Sequence, residues 1–275
     1  MTENTKQPGF VGKILNLPND DPKKTIIVAA LLCLVCSILV SISAVMFKPL
    51  QIANKEADIK KNILAVTGLL SEDVDVNTLF EQFEVKIVDV ETGLYSDIDS
   101  ASYDQYKAAG DPEQSIKLSA EQDIAGIGRR AKLAKVYLLK EGDKTTQVVL
   151  PIHGYGLWST LYGFISFEGD FNTIGGLQFY AHAETPGLGG EVDNPRWRKL
   201  WQGKKAFNDQ GELKIEVVRG HVDFKVAGAE HQVDGLSGAT LTSTGVSNLV
   251  NYWLGDHGFG PYLKNMSALM NTAEK

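Results

Sequence analysis

A run of 22 residues without a single charge, positions 26–47 (IIVAALLCLVCSILVSISAVMF), constrains this chain more than any other feature. As an α-helix at 1.5 Å per residue it measures about 33 Å, enough to cross a hydrocarbon core of about 30 Å. A cleaved signal sequence has an apolar stretch of only about 7–15 residues behind a short basic start. This run is longer, and 25 residues precede it. A buried core helix would show a polar edge, which is absent here. The chain therefore reads as a tail (1–25), a single transmembrane helix (26–47) and one extramembrane domain (48–275). Lys13, Lys23 and Lys24 precede the span, and Lys48, Lys55, Lys60 and Lys61 follow it, so the positive-inside rule does not choose a side.

Four lysines oppose three acids before position 48, which leaves −8 on the rest of a chain whose total is −7. An acidic domain argues against nucleic acid as a partner and against lying flat on anionic lipid. Both cysteines, Cys33 and Cys36, fall inside the span, so the domain has neither disulfides nor a cysteine-ligated cluster. Three apart, they share one helix face, and two thiols do not fill a tetrahedral metal site. Packing against partner helices is the simpler role.

After the span a helical rhythm continues from 48 to 70 (Leu50, Ala53, Ala57, Ile63, Leu64), so the anchor helix is expected to run on out of the bilayer. Strands are expected at 85–90, 134–139 and 148–152, the last two joined by a turn at Glu141-Gly-Asp143. A second antiparallel pair, 161–167 and 177–183, should turn around Gly169 and Gly175-Gly176. A short helix at 195–201, a strand at 213–218 and a helix at 245–254 complete the reading. Sequential strands with helices at the ends predict an α+β fold on a largely antiparallel sheet. Residues 48–140 form its membrane-proximal part and 141–260 its core.

The most informative stretch is Asp234-Gly-Leu-Ser-Gly-Ala-Thr240-Leu-Thr242-Ser-Thr244. Its small residues let backbone N–H groups approach a ligand, and its hydroxyls stand at the expected start of a helix. Such a start is a natural phosphate site. A generously capped helix explains the same residues. Gly235-Leu-Ser237-Gly-Ala also approximates a nucleophile elbow, although Ala239 replaces the final glycine and none of the five histidines is singled out as a base. Upstream lies His182-Ala-Glu184-Thr-Pro-Gly-Leu188-Gly-Gly190, a loop by its Pro and Gly content. Its His-x-Glu lacks the P-C-x-x-C partner that a zinc deaminase requires, and no metal site is expected.

Two resemblances give these segments a common meaning. Asp234 to Thr240 resembles the D-x-x-[ST]-G-A-[ST] signature of proteins modified by a flavin transferase. The resemblance implies that the Thr240 hydroxyl attacks the pyrophosphate of FAD, keeping one FMN through a phosphoester as AMP leaves. Glu184-Thr-Pro-Gly-Leu-Gly is similar to the flavin-contact loop of the FMN-binding domain family. That domain is shared by subunits of sodium-pumping NADH:quinone reductases and of Rnf complexes. The resemblance places Glu184, Thr185 and Leu188 against the flavin, with backbone donors such as Gly187, and Ser237, Gly238, Ala239 and Thr242 around the attachment point. Trp158 would supply an aromatic wall, while Trp197, Trp201 and Trp253 are assigned to packing. Over nearly the whole chain the likeness is to the C subunits of the sodium-pumping NADH:ubiquinone reductase, with the G-type Rnf subunit as the alternative. It implies an inner-membrane protein with a cytoplasmic tail and a periplasmic flavin domain. Such a protein carries electrons among other integral-membrane subunits and is matured by a flavin transferase. The chain has no G-x-G-x-x-G after a strand for NADH and no charge in its span for an ion path. A membrane-tethered flavin sensor is the reading from a different class.

Overall fold

The computed structural model describes residues 18, 21–71, 74–142 and 144–273, so most of the expected tail at 1–25 and the Asp143 corner of the expected turn lie outside the described residues. Helix α1 (Pro22–Val66) runs unbroken for 45 residues, as the rhythm past the apolar run predicted. The chain divides into two units, Met1–Glu56 and Ala57–Lys275. In the first, the apolar side chains of α1 are exposed on all sides, Leu32 at 63% and Val45 at 73% among them. The helix is long and apolar enough to cross a membrane.

The second unit begins with the last turns of α1, then α2 (Val76–Phe80), β1 (Phe83–Asp89), β2 (Tyr95–Ser96), α3 (Gln105–Gly110), β3 (Ser115–Lys117) and β4 (Arg129–Ala131). Four long strands follow: β5 (Leu133–Glu141), β6 (Lys144–Tyr155), β7 (Thr160–Glu168) and β8 (Ile174–Ala181). They form a six-stranded sheet in the order β2-β1-β5-β6-β7-β8, antiparallel throughout. Beyond it come α4 (Pro195–Lys199), β9 (Glu216–Val217), β10 (Gln232–Val233), α5 (Thr240–Leu254) and α6 (Gly260–Ala273). The α+β reading is the observed one.

Alternation along the strands gives the sheet two buried faces. Val136, Leu138, Val148, Leu150 and Ile152 point into the main core with Val246, Leu249 and Trp253 of α5. Tyr137, Leu139, Val149 and Phe164 face the other way, onto Ile63, Leu64 and Val66 at the end of α1. Trp197, Trp201 and Trp253 are buried, as their assignment to packing required.

Three expectations need correction. The β7–β8 turn centres on residues 169–173, where Asp170 accepts the N–H groups of Asn172 and Thr173. Gly175 and Gly176 lie inside β8 instead. Gly176 is small because α1 ends against it: a Cβ there would stand 2.6 Å from the carbonyl oxygen of Val66, which also accepts from Ser166 Oγ at 2.9 Å. A glycine chosen for close approach looks like a turn glycine in the sequence. The strand expected at 213–218 shrinks to β9, which pairs in parallel with β10. Helix α5 begins at Thr240, five residues before the expected start, because its first turn is rich in hydroxyls rather than apolar residues. Helix α6 was not anticipated.

Helix α5 packs against the end of β6 at Gly245, where a Cβ would lie 2.7 Å from Tyr155 O and 2.9 Å from Gly156 Cα. Alanine favours a helix interior over glycine by about 1 kcal/mol. Overpacking against a backbone that cannot yield costs about 1–3 kcal/mol. Gly245→Ala is therefore expected to lower stability by about 1 kcal/mol in chemical denaturation. A gain in stability would show that α5 has room to move away from β6.

Candidate functional site

Three segments converge beside the start of α5: the β6–β7 connection (residues 156–159), the loop after β8 (182–193) and the hydroxyl-rich turn (234–244). The turn does not cap its own helix in the expected way. Its N-cap residue is Ala239, which has no side-chain hydrogen bond to offer, and Gly238 before it adopts φ +72°. The neighbouring hydroxyls are turned to other uses. Ser243 Oγ accepts the N–H of Leu236, Thr244 Oγ1 donates to Thr240 O, and Thr242 points inward. The N-terminus of α5, with its N–H donors and positive dipole end, is thus left without a side-chain cap while Ser237, Gly238 and Thr240 are exposed beside it. Asp234 anchors the turn from behind: Oδ1 accepts from Val222 N at 2.8 Å and Oδ2 lies 2.8 Å from His221 Nδ1. Burial raises its carboxyl pKa, but these bonds prevail and hold it below the usual range.

Glu184 joins the three segments. Its Oε1 accepts three consecutive backbone N–H groups, from Leu157 at 3.1 Å, Trp158 at 2.9 Å and Ser159 at 3.2 Å. Its Oε2 accepts the Thr242 hydroxyl at 2.8 Å. The residue is 5% exposed and Thr242 wholly buried. Glycines make the space: a Cβ at Gly156 would lie 2.7 Å from Oε1, and one at Gly189 2.5 Å from Thr242 Oγ1. Burial pushes the Glu184 carboxyl up, while the donors from Trp158, Thr242, Leu157 and Ser159 together hold it below its ordinary value. Both of its oxygens are engaged by the protein, so Glu184 and Thr242 stand beneath the surface to which the resemblance assigned them.

Around this node the other expected residues are open to solvent. Trp158 is 67% and Leu188 45% exposed, and Thr185 and Gly187 are exposed as well. Leu188 leans on the hydroxyl-rich turn, for a Cβ on Gly238 would come 3.2 Å from its Cδ2. Ala239 is buried. Leu241 (62% exposed) and Tyr155 (49% exposed) flank the same segments, inside or beside stretches the sequence singled out but without a role assigned to either. Sequence reasoning missed Ser159, whose Oγ accepts the N–H of Ala183 at 2.7 Å. No motif marks Ser159.

The nucleophile-elbow reading finds no support. Among the described residues Ser237 makes no hydrogen bond to a histidine. His182 bonds to Asp193, His221 to Asp234 and His231 to the Lys205 carbonyl. His153 is packed between Tyr162 and Trp253, and burial lowers its pKa to about 4.

The family model of the FMN-binding domain matches residues 156–255, which contain all three converging segments. Over 248 residues the chain is 48% identical to the C subunit of the Na(+)-translocating NADH-quinone reductase of Pseudomonas aeruginosa, covering 88% of this chain and 95% of that one. With the same protein of Vibrio vulnificus it shares 51% over 246 residues, 89% and 95% of the two chains. The chain belongs to the C-subunit family of Na(+)-translocating NADH-quinone reductases. Between the two complexes that share the domain, this membership decides for the reductase. The fold agrees: the crystal structure of Shewanella oneidensis NqrC superposes with TM-score 0.72 at 34% identity, covering 78% of this chain and 99% of that one. The corresponding reductase protein of Parabacteroides distasonis gives 0.61 at 29%, covering 78% and 96%. In this member of the reductase family, the matched domain starts at Gly156, whereas the sheet that supports it starts at Phe83.

A carboxyl whose folded pKa is depressed contributes stability above its unfolded pKa and loses that contribution as pH falls through the folded value. Glu184→Gln keeps the shape and removes the titration. The wild-type denaturation midpoint should therefore fall more steeply than that of the variant as pH drops below the usual carboxylate range. Parallel pH profiles would mean that the Glu184 bonds do not form.

Proposed function

We propose that this reductase protein carries one FMN on Thr240, through a phosphoester, and passes electrons between neighbouring centres of the complex. The observation that carries the reading is the open N-terminus of α5 with an exposed Thr240 beside it, inside a matched FMN-binding domain. The residues present fit that group. Uncapped N–H donors and the helix dipole suit a phosphoryl group, and Gly238 adds no side chain of its own beside them. Exposed Leu188 and Trp158 offer apolar faces to a flat ring, while the Thr185 hydroxyl and the backbone N–H of Gly187 serve its polar edge. Glu184 and Thr242 fix these groups from below.

Attachment consumes FAD. The Thr240 hydroxyl oxygen bonds to the FMN phosphorus, the pyrophosphate P–O bond breaks, AMP leaves, and the hydroxyl proton is released. A flavin transferase performs this step, and afterwards Thr240 is a tether rather than a nucleophile. Bound FMN supplies the electron chemistry, and the protein holds and tunes it.

The apolar run of α1 serves as a single inner-membrane span, with the flavin domain on the periplasmic side. Covalent attachment suits that compartment, because a tether keeps the local flavin concentration high where dissociated FMN would be lost. Hydride entry from NADH, sodium movement and quinone reduction belong to the other integral-membrane subunits. Neither a dinucleotide motif nor an intramembrane charge is present here for such work.

Protein isolated from its own membranes and fully denatured should give a flavin-fluorescent band in a gel and an intact mass raised by one FMN less water. Thr240→Ala should lose both. A dark wild-type band of unmodified mass would end the tethered-flavin account.

A further inference from the structure

The two-residue spacing of His182 and Glu184, too poor in partners for a metal, has a structural use. Nδ1 of His182 accepts the backbone N–H of Glu184 at 3.2 Å, and Nε2 lies 2.8 Å from Asp193 Oδ2. A backbone N–H can only donate, so Nδ1 carries no proton; Nε2 carries it and donates to Asp193. The side chain is 13% exposed. It bridges the two ends of the loop 182–193, which holds Thr185, Gly187 and Leu188. Within the loop, Thr185 O accepts from Leu188 N at 3.1 Å and Gly190 N at 2.9 Å. The loop is thus a compact turn closed at its base by one imidazole.

We infer that His182 is a positioning residue for the flavin: through Nδ1 it sets the backbone of Glu184, and with it the ring-facing loop. The inference rests on the proposed flavin seat. His182 acts on the ring side and Thr240 on the phosphate side, so failure of the one is distinguishable from failure of the other. If Nδ1 loses its acceptor role, the Glu184 N–H loses its partner. Thr185 and Leu188 then shift against the ring although the tether is intact. The contact with Asp193 orients the imidazole and is secondary.

The test uses the full chain co-produced with a flavin transferase, as wild type, His182→Ala, His182→Asn and His182→Gln. An asparagine Oδ1 takes the place of Nδ1, and a glutamine side-chain amide takes the place of Nε2. In-gel fluorescence should show flavin on all four. The visible flavin band and midpoint potential should shift in the alanine and glutamine variants, and asparagine should restore both to near wild type. A merely structural role would lower the melting temperature without this Asn–Gln asymmetry. Wild-type spectrum and potential in both Ala and Gln variants overturn the inference. So does rescue by glutamine but not asparagine, which would give the role to Asp193. Should the alanine variant fail to fold, the Asn–Gln pair decides alone. A wild-type chain without covalent flavin overturns the seat itself, a result the gel separates from the others.

Discussion

A carboxylate buried away from water is costly unless its lone pairs are taken, and the Glu184 carboxylate has four donors. Three come from successive residues of one connection, and the fourth is the hydroxyl of Thr242 in the first turn of α5. Displacing either donor segment would strand part of this charge, so the loop that carries Glu184 and the two segments that serve it are held together. The placement of Trp158, Leu188 and Thr240 relative to one another follows from that node. Gly156 and Gly189 belong to it as much as the glutamate does, because a side chain at either would occupy the space of its oxygens.

The arrangement separates support from contact. Residues that hold the site (Glu184, Thr242, Ser243 and Ala239) are buried. Residues that remain for a ligand (Thr240, Thr185, Leu188 and Trp158) are exposed. Beneath them, the antiparallel sheet is a rigid base with both faces covered, by α5 on one side and by the last turns of α1 on the other. Helix α5 both closes the core through Val246, Leu249 and Trp253 and presents its free end to the surface.

The long strands were legible because β1 and β5 to β8 are rich in β-branched and aromatic residues bounded by turn residues. The site motifs were legible because Asp234 to Thr240 and Glu184 to Gly189 combine residues in an unusual order. Physical reasons explain the rest. Taken by itself the hydroxyl turn read more readily as a capped helix, and only the structure shows Ser243 and Thr242 facing away from that task. The resemblance placed Glu184 against the flavin, and its burial beneath the surface was not legible because sequence carries no burial. Two-residue strands such as β9 and β10 depend on pairing partners distant in sequence and leave no periodic trace. Ser159 and Asp193 meet the site through hydrogen bonds that no spacing announces.

The coupling between Glu184 and Thr242 tests the central claim most directly. In a double-mutant cycle of Glu184→Gln and Thr242→Val, with stability measured by denaturation near neutral pH, contacting residues should show an interaction energy of about 1 kcal/mol or more. Single-variant losses that add to within about 0.5 kcal/mol would contradict the account, since the two side chains would then not share the bond that unites the site.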